Sequence, residues 1–162
     1  MKIENFKPEK LKVLEEFVTE VSNELNVEFT NEIIDFKRTL LQRKKIKFQN
    51  FISPISYHLS NEFELSFIPF SENSVELWKI NIKERGKGVG SEIMSKIMDV
   101  SDRTGIKIKL VPVDYDCDEK HPNGYLIKLK TWYTIGLGFE KPKISFDPFY
   151  TYHPIKELKM VG

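Results

Sequence analysis

The sequence predicts an α/β chain of the α+β kind: a mixed, mostly antiparallel sheet of about six or seven strands flanked by about four helices. Three observations predict it. From Ile55 to Ile82 apolar residues recur in the period of strands, in three segments parted by short polar connections. Ahead of them, two segments carry apolar residues at helical spacing, and both stripes need a sheet to lie on. After Ile82 a glycine-rich turn leads directly into a further helical stripe.

Met1 to Phe6 fits a short first strand. Pro8 is placed to open a helix, because a missing N–H costs nothing in the first turn; the stripe is Leu11, Leu14, Phe17, Val18 and Val21, ending near Asn26. A second helix is expected from Thr30 or Asn31 as cap, with Ile33, Ile34, Phe36, Leu40 and Leu41 apolar and Arg43, Lys44 and Lys45 near its negative end. Strands follow at Ile55 to Leu59, Phe63 to Phe70 and Ser74 to Ile82, and their short connections make them antiparallel neighbours. The next helix runs from about Ser91, with Ile93, Met94, Ile97 and Met98 as its stripe and Gly105 as its stop. Ile106 to Val113 reads as a strand, and Leu126 to Tyr133 as a helix leading to Gly138-Phe139. Ile144 to Phe146 and Phe149 to Tyr152 read as two last strands broken at Asp147-Pro148.

A chain of 162 residues that is 40% hydrophobic holds one buried core and is short for two, so a single domain spanning 1–162 is expected. Its 25 basic and 24 acidic residues give a formal charge of +1, and no global field draws it to nucleic acid or to membrane phosphate. Cys117, the single cysteine, has no internal disulfide partner, and no Cys/His cluster has metal-ligand spacing. A cytoplasmic, metal-free protein is expected. Met1 to Glu20 mixes charges into every apolar run, unlike a secretory signal, and no stretch is long enough to cross a bilayer. The exposed edge of the terminal hairpin offers a second copy a place to pair, as in a homodimer.

The most informative residues are Arg85-Gly86-Lys87-Gly88-Val89-Gly90, between the strand ending at Ile82 and the helix from about Ser91. A glycine-paved turn there aims unpaired backbone N–H groups at one point, the helix dipole adds positive charge, and the missing Cβ atoms let a diphosphate touch the backbone. Arg85 and Lys87 add full charges at the rim. Two familiar phosphate loops do not fit. A Walker A loop needs Gly-x-x-x-x-Gly-Lys-Ser/Thr, and Lys87 is not placed for it. A dinucleotide fingerprint needs Gly-x-Gly-x-x-Gly after a buried parallel strand, whereas these glycines are evenly spaced behind a half-polar one.

Arg85, Gly88 and Gly90 do match Arg-x-x-Gly-x-Gly, and the segment from about 74 to 140 resembles the core of the GNAT superfamily of N-acetyltransferases: central strand, pyrophosphate loop, helix, strand, then a helix ending in a Gly-Phe pair. The order of elements read from periodicity is also that of the GNAT fold. The resemblance implies a sheet splayed in the middle, with acetyl-CoA as co-substrate and its thioester arm in the gap. It also implies direct acetyl transfer to a primary amine. The diphosphate would lie on Arg85 to Gly90 and Ser91, while backbone groups of Ile80, Asn81 and Ile82 would pair with the pantetheine arm. Asn123 would touch the same arm.

Such a transfer needs a donor for the oxyanion, an uncharged amine and a proton for the leaving thiolate. The resemblance implies Tyr133 as the proton donor, although Gly138 follows it by five residues where relatives have four. Thr134 stands at the formal spacing but is a far poorer acid, and Tyr133 also reads as a packed aromatic beside Trp132. Glu76, with Glu72 behind it, is the candidate base; His58, His121 and His153 are further candidates but have no motif. Asp114, Asp116, Asp118 and Glu119 form either a solvated acidic loop or an attractant for a cationic amine. The acceptor expected first is therefore a small cationic amine, and second a protein amine. The alternative is a module of the same fold that binds acyl-CoA without turnover.

Overall fold

The structure is a computed structural model; it describes residues 7–38, 49–84, 86–112 and 126–155, without the side chains of 36–38 and 49–51. The expected strand at Met1 to Phe6, together with Leu40 and Leu41, Arg85, the acidic loop with Cys117, His121 and Asn123, lies outside these residues.

Helix α1 (Pro8–Leu25) starts at its proline and stops where Asn26 turns left-handed at φ 54°, its successor Val27 donating back to the Ser22 carbonyl. Leu14, Phe17, Val18 and Val21 are buried along one face. Strands β1 (Thr30–Arg38), β2 (Gln49–Leu59), β3 (Phe63–Ser71) and β4 (Ser74–Ile82) follow, then α2 (Val89–Thr104) and β5 (Lys107–Leu110). A short α3 (Leu126–Thr131) runs on into a π-helical turn (Trp132–Gly136), and β6 (Tyr150–Tyr152) closes the series. The strands form one six-stranded sheet in the order β1-β2-β3-β4-β5-β6, antiparallel at every pair except the parallel β4–β5. This is the expected α+β class with a mixed, mostly antiparallel sheet.

Two elements correct the sequence reading. The segment from Thr30, expected to be a helix, is β1, paired without interruption from Thr30 opposite Tyr57 to Arg38 opposite Gln49. Its apolar residues Ile33, Ile34 and Phe36 fit either period over so short a run, and the β-branched pair with a complementary partner strand decides for a strand. Tyr57 donates to Glu32 at 2.9 Å and Ser56 to Asn31 at 2.6 Å, tying the two strands side to side. The second correction is at the end: Ile144 to Phe146 is bend and turn rather than strand, and Glu140 takes the place beside Thr151 in an isolated bridge. Helices among the described residues therefore number three, with the π-turn as an extension of the last.

β2 also begins earlier than expected, running through Pro54. At Pro54 the strand is paired with β1 alone, since β3 pairs with β2 only from Ser56 to Leu59, and proline is tolerated where a strand has one neighbour. The core lies where α1 and α2 meet β3, β4 and β5: Phe17, Val21, Leu65, Phe67, Val75, Met94, Ile97 and Ile108 are all fully covered. Phe17 meets Phe67 edge-on at 5.5 Å. At the surface Arg103 of α2 bonds Glu20 and Glu24 of α1 at 3.0 and 3.5 Å. Among the described residues no helix is long and apolar enough to cross a membrane.

Candidate active site

The site begins with a parting of strands. β4 and β5 pair at Ser74–Lys107, Val75–Ile108 and Glu76–Lys109 and no further. In the register with β3, Phe67 faces Leu77 and Ser66 faces Lys79, so Trp78 is an extra residue on β4. A bulge of this kind bends and twists its strand, and here it stands just where β4 leaves β5. The gap opens into a cavity of about 540 Å³.

Three sets of groups line it. β4 contributes Leu77 to Ile82 in succession, with their second edge free of β5. The turn and the start of α2 contribute Gly86, Gly88, Val89, Gly90 and Ser91. Leu110 at the end of β5 and Val111 after it form part of the wall, with Leu129, Trp132 and Tyr133 from the last helix.

The cradle at the head of α2 has the geometry an anionic group needs. Gly86 and Gly88 stand at φ 80° and 77°, the left-handed region that L side chains rarely adopt, and a Cβ on either would meet no atom of the described residues within 4 Å beyond its chain neighbours. The glycines are thus demanded by backbone conformation, and the space beside them is open. Gly88 is the cap of α2, no side chain caps the helix, and the first bond of the ladder is Glu92 N–H to Gly88 O at 3.1 Å. The N–H groups of Val89, Gly90 and Ser91 therefore precede the ladder, in residues that line the cavity. A phosphate is the ligand such a helix end favours. Lys87 stands at the rim, 3.0 Å from Glu84, with both side chains well exposed. Lys79 and Lys128 are further cationic residues on the wall, the former bonded to Glu64 at 3.3 Å.

Tyr133 is 4% exposed and belongs both to the core and to the cavity wall. The extra residue between it and Gly138 is taken up by the π-turn: Leu137 N–H reaches the Trp132 carbonyl at 2.9 Å and Phe139 N–H the Tyr133 carbonyl at 2.8 Å. One residue inserted in this way widens a turn without ending the helix before it. Thr134 spends its hydroxyl on the Lys130 carbonyl at 2.9 Å. Glu76 is buried at 2% exposure in the last paired position of β4, one residue before the cavity wall begins, and is not part of that wall.

The structure thus brings Ile80, Asn81, Ile82, Gly86, Gly88, Val89, Gly90, Ser91 and Tyr133 to one cavity, leaves Lys87 at its rim and holds Glu76 beside it. Trp78, Leu110, Leu129 and Trp132 were not singled out from sequence as site residues. Only Trp132 carried a usable signal, as the neighbour of Tyr133.

No family model matches the chain, and no curated protein matches it. Among solved structures, the anti-CRISPR protein AcrVA5 is similar at 16% identity and a TM-score of 0.46, over 60% of this chain and 97% of that one. The AtaT–AtaR complex bound to DNA is similar at 17% identity and a TM-score of 0.42, over 82% and 99%. A crystal structure of AtaTR bound with AcCoA is similar at 17% identity and a TM-score of 0.37, over 83% and 99%. With TM-scores below 0.5, these likenesses leave the site's own geometry to carry its reading.

Proposed function

We propose that the chain is an N-acetyltransferase of the GNAT type, moving an acetyl group from acetyl-CoA directly to a primary amine. The observation that carries this is the convergence on one cavity of a glycine-paved helix start without a side-chain cap, the stretch of β4 beyond its pairing with β5 and a buried tyrosine. The first suits a diphosphate and the second an extended amide-bearing arm, while the third supplies a proton. Acetyl-CoA has these chemistries along its length.

In the reaction the amine lone pair attacks the thioester carbonyl carbon, and the carbonyl electrons move onto oxygen. A backbone N–H among Ile80 to Ile82 stabilises that oxyanion. The C–S bond then breaks, and Tyr133 gives its hydroxyl proton to the departing thiolate and regains one from solvent. The amine's proton passes to Glu76 through water, since Glu76 stands behind the wall. The acceptor proposed is a small cationic amine, with a protein amine second; Asn123, Arg85 and Lys87 are proposed to add contacts to the cofactor. The protein is further proposed to act in the cytoplasm as a single domain.

Isothermal titration with acetyl-CoA, followed by thiol release against a panel of amines, tests the proposal. Saturable binding with amine-dependent release is expected. Binding without release by any amine would make this an acyl-CoA-binding module, and absence of binding would overturn both readings.

A further inference from the structure

Trp132 occupies a place between the two parts of the cavity that have to be held in register. It opens the π-turn, and its ring centroid is 5.0 Å from that of Tyr133, with the planes at 43°. At one edge of the indole, a Cβ built on Gly136 would stand 3.1 Å from Trp132 Cδ1, closer than carbon atoms normally pack. At the other edge, a Cβ built on Gly90 in the first turn of α2 would stand 3.8 Å from Trp132 Cη2. The indole therefore spans from the bare backbone of the π-turn to the head of α2.

We infer that Trp132 is a positioning residue: wedged between Gly136 and Gly90, it sets Tyr133 at a fixed distance and angle from the anion cradle. The inference rests on the acyltransfer reading for its catalytic consequence, though not for its geometry. An extra residue in a helix leaves the following side chains poorly fixed unless something seats them, and a flat, rigid ring has few rotamers to lose in that task. A side chain at Gly136 would require the indole to give way by a few tenths of an ångström. Misplacement of a reacting group by about 1 Å can cost about a hundredfold in rate.

The test uses Gly136→Ala, in the otherwise native chain and in a Trp78→Phe background, where Trp132 is the sole tryptophan of the chain's two. In the single-tryptophan protein, without ligand, the substitution should shift the emission maximum and raise quenching by acrylamide. Unchanged emission and quenching would overturn the wedge itself, whatever the protein's activity. In the otherwise native chain, kcat for thiol release should fall about tenfold while KM for acetyl-CoA changes by less than about threefold. Combined with Tyr133→Phe, Gly136→Ala should add almost nothing, since both act on one step. A full additional loss in the double variant would show that the effect does not pass through Tyr133 and would overturn the positioning role. If the unsubstituted protein releases no thiol at all, the acyltransfer reading has failed, and the emission result decides the wedge alone.

Discussion

Substitutions at Tyr133 and at the loop glycines test the proposed proton donation and the proposed binding separately. Tyr133→Phe keeps the ring that packs on Trp132 and Phe139 and removes the proton. Thiol release should slow by about 10- to 100-fold, at the lower end of what general acids supply because a thiolate leaves readily, with acetyl-CoA affinity unchanged by titration. Equal rates would assign the proton to water. Gly90→Ala tests the cradle with less ambiguity than Gly88→Val, since Gly88 needs a left-handed φ that valine resists. The new methyl of Gly90→Ala meets Ile82 Cγ1 at an ordinary 3.5 Å, so the fold should hold and the helix gain slightly, up to about 1 kcal/mol. Affinity for acetyl-CoA should fall by tenfold or more while the melting temperature stays or rises. A third residue reports on stability alone. Tyr152 donates to Asp102 at 2.9 Å, and burial first, then that bond, raise its pKa above the usual value for a phenol. A raised acid binds its proton more tightly when folded, so its contribution is complete below about pH 10 and is lost as pH climbs beyond it. Denaturant titrations from pH 9 upward should show stability falling, and less steeply in Tyr152→Phe.

At the scale of elements, the segment from Thr30 to Arg38 distinguishes the two ways of reading a short apolar run. A strand bonded to one neighbour, as β1 is among the described residues, protects alternate amides, whereas a helix protects consecutive ones. Hydrogen exchange should therefore show alternating protection across 30–38, and continuous protection would restore the helix. What was legible here and what was not has a physical pattern. Helix α1 announced itself through Pro8 and a stripe long enough to exclude a strand, and β3 and β4 through their alternation and polar connections. β1 did not, because Ile33, Ile34 and Phe36 satisfy both periods and the deciding fact is a partner strand some twenty positions away. Ile144 to Phe146 misled in the opposite sense: its side chains suit a strand, yet the partner position is already held by Glu140. The π-turn lies between these cases. Its cause, one residue too many before Gly138, was visible in the sequence, but not how the chain accommodates it.

For the molecule as a whole, the turn at the head of α2 was readable because its glycines encode backbone geometry directly, while the rest of the cavity wall depends on which strands separate. Nothing in Leu77, Trp78 or Leu110 alone says that β4 and β5 part between them. Occupation of that gap should be visible in global stability. Acetyl-CoA at one hundred times its dissociation constant should add about 2.7 kcal/mol. For a chain of this length that raises the melting temperature by roughly 5–10 °C. Coenzyme A should do nearly as well, and adenosine alone, lacking the diphosphate, should not. An unmoved melting temperature at saturating acetyl-CoA would count against the cavity as its site.

The three rungs that join β4 to β5 leave the sheet as two leaves, four strands and two, hinged along a short seam. An extended molecule laid in the opening would run along β4 past the end of that seam and rivet the leaves together. The empty protein would then be the softer one in shear.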